Sequence, residues 1–181
     1  MVTENQIQNY PSTFAEFLLW EPEDGYKYEW NDGELICFTG MNKKKVYIYD
    51  YINRSFIAKQ YLELGSLVSE YDVQLSGIQM RRPDIAYLTK EQITETKKGV
   101  DVIPEFVIEI LSETDNINRV EEKVTEYFKA GVKVIWHIFP ELKMIYVYTS
   151  RRDVKICIEN DICSASPVLT DFETVVSELF A

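Results

Sequence analysis

Two acids in this sequence stand where an acid is costly. Glu109 interrupts the apolar run Phe106-Val107-Ile108-Glu109-Ile110-Leu111, whose two faces both read as buried, the pattern of a central strand. An unpaired carboxylate there would cost several kcal/mol or give up its charge. A metal ion, a Lys or Arg, or an opening at the strand's edge must therefore compensate it. Asp84, in Arg81-Arg82-Pro83-Asp84-Ile85-Ala86-Tyr87-Leu88, poses the same question near a strand start, because Pro83 leaves the first residues close to the sheet rim. Two carboxylates on neighbouring strand ends, with a backbone carbonyl nearby, make a hard oxygen site of the kind Mg²⁺ or Mn²⁺ prefers. Such an ion activates water and stabilises charge developing on a phosphoryl oxygen. Asp84 and Glu109 are thus candidate ligands of such an ion, with structural pairing to an arginine or lysine as the alternative.

A lysine is the usual third partner in such chemistry, to orient the nucleophile or offset phosphate charge. The position two after Glu109 is Leu111, so none is supplied there. Lys123 is the candidate replacement. On a helix it lies roughly 90° from the centre of the apolar stripe, one turn before Tyr127, within reach of the sheet for a snorkelling side chain. Glu121 sits on the opposite flank, and helical geometry alone does not single out Lys123.

The elements that must position these residues follow from periodicity. Phe14, Phe17 and Leu18 recur at helical spacing over residues 11–20, with Ser12 or Thr13 as N-cap. Asn31-Asp32-Gly33 between alternating strand-type residues predicts a hairpin over about 26–39. The spacing of Val46, Tyr49, Ile52, Phe56 and Tyr61 predicts a long helix from Lys45 to about Leu64, closed by Gly65. Strand-like runs follow at 67–75, 83–88 and 105–111, with a polar surface loop over 89–102. Ile117, Val120, Val124, Tyr127 and Phe128 predict a second helix over 116–130, capped by Asp115 or Asn116 and ended by Gly131. The runs KVIWHIF, MIYVYTS and DVKICIE complete the strands, and a terminal helix is expected near 172–179. Strands interleaved with helices in this order argue for an α/β fold, a mixed central sheet flanked by helices, built as one domain over 1–181.

Composition bounds the function. No stretch approaches the roughly 20 apolar residues of a membrane span, and residues 1–10 carry no basic n-region, so a soluble cytoplasmic protein is expected. Cys37, Cys157 and Cys163 show no CxxC spacing and read as reduced thiols. The formal charge is −11, unevenly spread: residues 1–40 hold a net −7, residues 41–98 a net +3, and residues 99–181 a net −7. Only the middle third, with Lys43-Lys44-Lys45 and Arg81-Arg82, could offer a basic face to nucleic acid. His137, the single histidine, lies in a strand between Trp136 and Ile138 and is expected in a packed or hydrogen-bonded core role. One histidine makes no Ser-His-Asp or Cys-His arrangement, and no Gly-rich phosphate loop is present.

In order along the chain stand Pro83-Asp84, then Glu109-Ile110-Leu111-Ser112, then Lys123-x-x-x-Tyr127 running into Ala130-Gly131-Val132 and Trp136. That order resembles the Uma-type endonucleases of the PD-(D/E)XK, restriction-endonuclease-like superfamily. The resemblance extends to Tyr28-Glu29, to Asp32-Gly33-Glu34-Leu35 and to Ser166-Pro167-Val168-Leu169, and so covers nearly the whole chain. It implies a restriction-endonuclease-like fold, metal-dependent phosphodiester hydrolysis with Mg²⁺ or Mn²⁺, and a lysine moved from the strand to the following helix. Carried over, Asp84 and Glu109 bind the metal, Lys123 is the transplanted lysine, and Glu29 is an extra acid near the ion, ahead of Glu34. Nucleic acid is the implied substrate, DNA before RNA by family analogy. Cleavage of duplex sites by two centres is compatible with a homodimer.

The chain departs from the family pattern after Ala130-Gly131-Val132. Where the family commonly reads P-E-Y-W-x-x-D-P, this chain has Lys133-Val134-Ile135-Trp136-His137-Ile138-Phe139-Pro140, without either acid. The family's frequent histidine near the start of the long helix is absent, with Lys44 or Lys45 in that neighbourhood. A competing reading follows: a catalytically degenerate domain on the same scaffold that binds nucleic acid or protein. A metal-dependent hydrolase of some other phosphoester is the third.

Overall fold

The computed structural model describes residues 10–38, 43–113 and 115–181, with all their side chains except those of residues 43 and 44. Helix α1 (Phe14–Leu19) starts at Thr13, whose Oγ1 accepts from the Glu16 N–H at 3.2 Å. Strands β1 (Lys27–Asn31) and β2 (Glu34–Phe38) pair with Asn31 opposite Glu34, so Asp32 and Gly33 alone make the turn. Their φ angles, 45° and 90°, are both positive, as a two-residue type I′ turn demands.

Helix α2 (Lys43–Ala58) stops short of the expected Leu64. Gln60 takes φ 62°, a single 3₁₀ turn covers Tyr61–Glu63, and Gly65 opens β3 (Gly65–Ser69) instead of closing the helix. Close packing explains the glycine: a Cβ there would stand 2.2 Å from the Leu88 carbonyl oxygen. The single strand expected over 67–75 is also two. Glu70, at φ 50°, breaks it, and β4 (Val73–Ser76) turns back into β5 (Gln79–Arg81) within a different sheet from β3.

After β6 (Ile85–Thr89) the expected surface loop contains helix α3 (Lys90–Thr96). Thr89 Oγ1 accepts from the Gln92 N–H and Gln92 Oε1 accepts from the Thr89 N–H, a capping box that the Thr-x-x-Gln spacing carries in the sequence. Strand β7 (Phe106–Ile110) is buried along its full length, as its apolar run predicts. Helix α4 (Ile117–Ala130) is capped by Asn116, which accepts from the Asn118 and Arg119 N–H groups, and ends at Gly131 with φ 113°. Then come β8 (Val134–Phe139), β9 (Met144–Tyr148), β10 (Val154–Ile158), β11 (Ile162–Ala165) and β12 (Leu169–Val175). The first half of the terminal helix expected over 172–179 is strand β12, and only the single turn α5 (Val176–Leu179) is helical.

The main sheet runs β10-β9-β8-β7-β6-β3, and β7-β8 is its one parallel pair. This is the mixed sheet flanked by helices that element order predicts. A parallel pair needs a crossover rather than a tight turn. Helix α4 is that crossover, and Val124 and Tyr127 pack it on Ala86, Val107 and Ile135 of one sheet face. The opposite face carries Phe106, Ile108, Ile110, Trp136 and Ile138 against Ile48, Ile52 and Phe56 of α2 and Phe172 and Val176 near the C-terminus. The smaller sheet, β2-β1-β5-β4, has its own core of Phe17, Tyr28 and Trp30. No helix among the described residues is long and apolar enough to cross a membrane. Cys37, Cys157 and Cys163 are free thiols.

Candidate active site

Alternation along β7 sends Phe106, Ile108 and Ile110 to one core and leaves Val107 and Glu109 facing α4. Glu109 therefore stands under the crossover helix, and the helix residues one turn apart on that side, Lys123 and Tyr127, meet it. The Tyr127 hydroxyl donates to Glu109 Oε1 at 2.7 Å and the Lys123 ammonium to the same oxygen at 3.4 Å. Burial pushes the Glu109 carboxyl up to about 7, aided by the charges of Asp84 and Glu29 and opposed by Lys123.

Glu29, on β1, reaches the same place from the smaller sheet. It is 2% exposed, and Oε1 accepts from Lys123 Nζ at 2.8 Å and from the Arg82 N–H at 3.0 Å. Its other oxygen accepts from Arg81 Nη1 at 3.1 Å. Burial alone would raise this carboxyl, but Lys123 and Arg81 outweigh it and hold it below the usual range. Lys123 thus bridges Glu29 and Glu109. Burial works against its charge, yet the two carboxylates hold the ammonium above its ordinary pKa. Arg81 in turn forks onto Glu126 of α4, with Nε donating at 2.7 Å and Nη2 at 3.1 Å. This bidentate clamp ties β5 to the helix that carries Lys123.

Asp84 precedes β6 and closes the cavity on the other side of Glu109. Its Oδ2 accepts from the Ile110 N–H at 2.7 Å, and Lys45 Nζ donates to both oxygens at 2.8 and 2.9 Å. Glu29, Lys45, Arg81, Asp84, Glu109, Lys123 and His137 all line one cleft of about 420 Å³. All four candidates from the sequence, Asp84, Glu109, Lys123 and Glu29, meet there. Glu34 does not: it sits exposed beside the hairpin turn and accepts from Arg119 Nη2 at 2.6 Å.

The basic face expected from the middle third is largely consumed. Arg81 is 1% exposed within the Glu29–Glu126 cluster, Arg82 is paired with Asp72, and Lys45 is bound to Asp84. Of the Lys43-Lys44-Lys45 run, the side chains of residues 43 and 44 lie outside the described set. Sequence reasoning missed Lys45, Glu126 and Arg81 as partners of the site. A long-range ion pair leaves no periodic trace, although the arginine pair before Pro83 and the Lys-x-x-x-Tyr spacing were visible. His137 is packed, as expected, against Tyr148 and Phe139, but neither ring nitrogen has a hydrogen-bond partner among the described residues.

Among the described residues no three His, Cys, Asp or Glu side chains form a ready-made metal cluster. The donor set nevertheless fits a divalent cation. Four acids, Glu29, Asp84, Glu109 and Asp115, line one cleft, Lys45 already lies as a monovalent cation across both Asp84 oxygens, and Glu109 is held toward its protonated form by burial, with the charges of Asp84 and Glu29 adding to it. An ion would favour the ionised form of Glu109.

Three comparisons bear on this arrangement. The Uma2 family, described as "Putative restriction endonuclease", matches residues 14–177. Among solved structures, the chain is similar to "a putative nuclease belonging to DUF820" from Anabaena variabilis, with a TM-score of 0.78 and 20% identity. The match covers 94% of this chain and 98% of that one, and at such identity it shows the fold. No curated protein matches the sequence.

Proposed function

The chain belongs to the Uma2 family, and from that premise we propose that it is a nuclease dependent on Mg²⁺ or Mn²⁺ that hydrolyses phosphodiester bonds, with DNA as substrate. The observation that carries the reading is Lys123: a half-buried ammonium held between Glu29 and Glu109 in the cleft that Asp84 also lines. Asp84 and Glu109 would hold the ion. When bound, it would supply Lewis acidity toward a phosphoryl oxygen and lower the pKa of a water. Glu29 fixes Lys123, and Lys123 offers its remaining donors to a water or a phosphate oxygen. Tyr127 orients Glu109, and Arg81 holds Glu29 and α4 in register.

The test is cleavage of DNA, RNA and a small phosphodiester by untagged protein with Mg²⁺, Mn²⁺ or EDTA. Metal-dependent DNA cleavage is expected, with Asp84→Asn, Glu109→Gln and Lys123→Ala each lowering the rate by roughly 10² or more. Cleavage that survives Asp84→Asn would sink the reading. Duplex cleavage by paired centres makes a homodimer the proposed working unit, to be read by sedimentation.

One observation favours the competing reading of a domain that binds nucleic acid or protein without turnover. Lys45 covers both Asp84 oxygens, and Val134 and Phe139 stand where family members commonly carry acids. Metal-dependent cleavage abolished by Glu109→Gln excludes it.

A further inference from the structure

His137 is the chain's one histidine, and the nuclease reading gives it no task. On β8 it pairs in register with Glu109 of β7, so the two side chains leave the same sheet face side by side. The residue is 1% exposed, and both ring nitrogens are buried without a hydrogen-bond partner among the described residues. A buried imidazole normally satisfies at least one nitrogen, because leaving both unpaired costs free energy. The rings packed on it are Tyr148, edge-on at a centroid distance of 5.0 Å, and Phe139 at 6.5 Å, and neither nitrogen bonds to them. The side open to the ring is the cleft it lines with Glu29, Asp84, Glu109 and Lys123.

We propose that His137 is a nitrogen ligand of the divalent ion held by Asp84 and Glu109, and that it biases this site toward Mn²⁺ and later first-row ions over Mg²⁺. The inference rests on the nuclease reading's metal site. Mg²⁺ takes oxygen donors almost exclusively and gives up its waters reluctantly, whereas imidazole suits the softer first-row ions. A carboxylate pair alone would discriminate less in that direction. A neutral nitrogen beside the pair also adds a donor without adding negative charge to a cleft that already holds four acids.

The chain's single histidine makes the test unambiguous. Untagged, metal-stripped full-length protein is loaded with Mn²⁺ and examined by electron spin-echo modulation, once with natural histidine and once with ¹⁵N-imidazole histidine. The expected result is imidazole nitrogen coupling that changes isotope signature on labelling. Calorimetric titration with each ion should show His137→Phe weakening Mn²⁺ binding about tenfold or more while leaving Mg²⁺ binding near the wild-type value. Should that variant not fold, the labelled wild type still decides. Mn²⁺ that binds in an Asp84-dependent way without histidine coupling overturns this inference and leaves the metal site standing. No Mn²⁺ binding, or binding indifferent to Asp84→Asn, overturns both.

Discussion

Glu109 and His137, neighbours across two strands, titrate in opposite senses, and that opposition gives the metal-free protein a testable pH signature. Burial, with Asp84 and Glu29, raises the Glu109 carboxyl from 4.5 to about 7, so between those values the folded chain holds a proton the unfolded chain has lost. Its contribution makes stability fall as pH rises through that window. Burial, with Lys123, lowers His137 from 6.5 to about 3, so in that interval the unfolded chain holds the extra proton and stability rises with pH. In the overlap the two offset. Relative to wild type, Glu109→Gln should therefore gain a rising slope of about 1.4 kcal/mol per pH unit, and His137→Phe a falling slope of the same size. Urea unfolding in EDTA at pH 5, 5.5 and 6, roughly the centre of the overlap, reads both slopes. Two variants that run parallel to wild type would show that neither group is buried as described. At this scale the sequence was informative where an acid contradicted its surroundings. Glu109 and Asp84 could be found because apolar neighbours make a carboxylate conspicuous. Lys45, Glu126 and Arg81 could not, because surface charges and buried ones look alike until tertiary packing pairs them. Lys123 was reached only with help from the ordered motifs, since Glu121 flanks the same helical stripe. Its removal should be costly: Lys123→Met leaves Glu29 and Glu109 without their shared ammonium. A loss of about 3–5 kcal/mol is expected. Saturating Mn²⁺ should restore part of it, read by thermal unfolding with and without the ion.

Among elements, α4 does most to build the site, and it was the most legible. Its stripe, its Asn116 cap and its Gly131 terminus are all local signals, and the crossover between β7 and β8 then fixes which face of the sheet it must cover. The hairpin was legible for the same reason, since Asp32 and Gly33 accept the positive φ that the turn requires. Errors came where tertiary context overrode the local pattern. The long helix was carried past Ala58 because Tyr61 continues its period, and one strand was read across Glu70 because the residues on either side both suit a sheet. Helix α3 was missed although Thr89 and Gln92 spell its capping box, because its short polar run has no apolar stripe. These differences separate local support from support of the site. Thr89→Ala removes one cap far from the cleft and should cost about 1 kcal/mol with metal affinity unchanged. Arg81→Met severs the clamp from β5 to α4 and strands Glu29 and Glu126. It should cost about 3–5 kcal/mol and weaken metal binding too. Equal losses of stability from the two variants in chemical unfolding would deny Arg81 that role.

For the molecule as a whole, the difficulty is charge. A chain of net −11 must admit a polyanion to a cleft lined by Glu29, Asp84 and Glu109. The bases nearest that cleft are already engaged: Arg81 with Glu29 and Glu126, Arg82 with Asp72, Lys45 with Asp84, Lys123 with Glu29 and Glu109. Phosphate neutralisation, the usual source of affinity for DNA, is thus weakly supplied by the described surface. A divalent ion held by Asp84 and Glu109 would add positive charge to the cleft. Metal and DNA should therefore bind with positive coupling. In EDTA, fluorescence anisotropy with a labelled duplex should show weak binding. Mn²⁺ should tighten it. Asp84→Asn separates loss of the acid's charge from gain of the ion, because it removes one negative charge without supplying the ion. That variant should bind DNA more tightly than wild type in EDTA yet gain less from Mn²⁺. Tight, steeply salt-dependent binding by the wild-type protein in EDTA would instead place the affinity on a basic surface independent of the cleft.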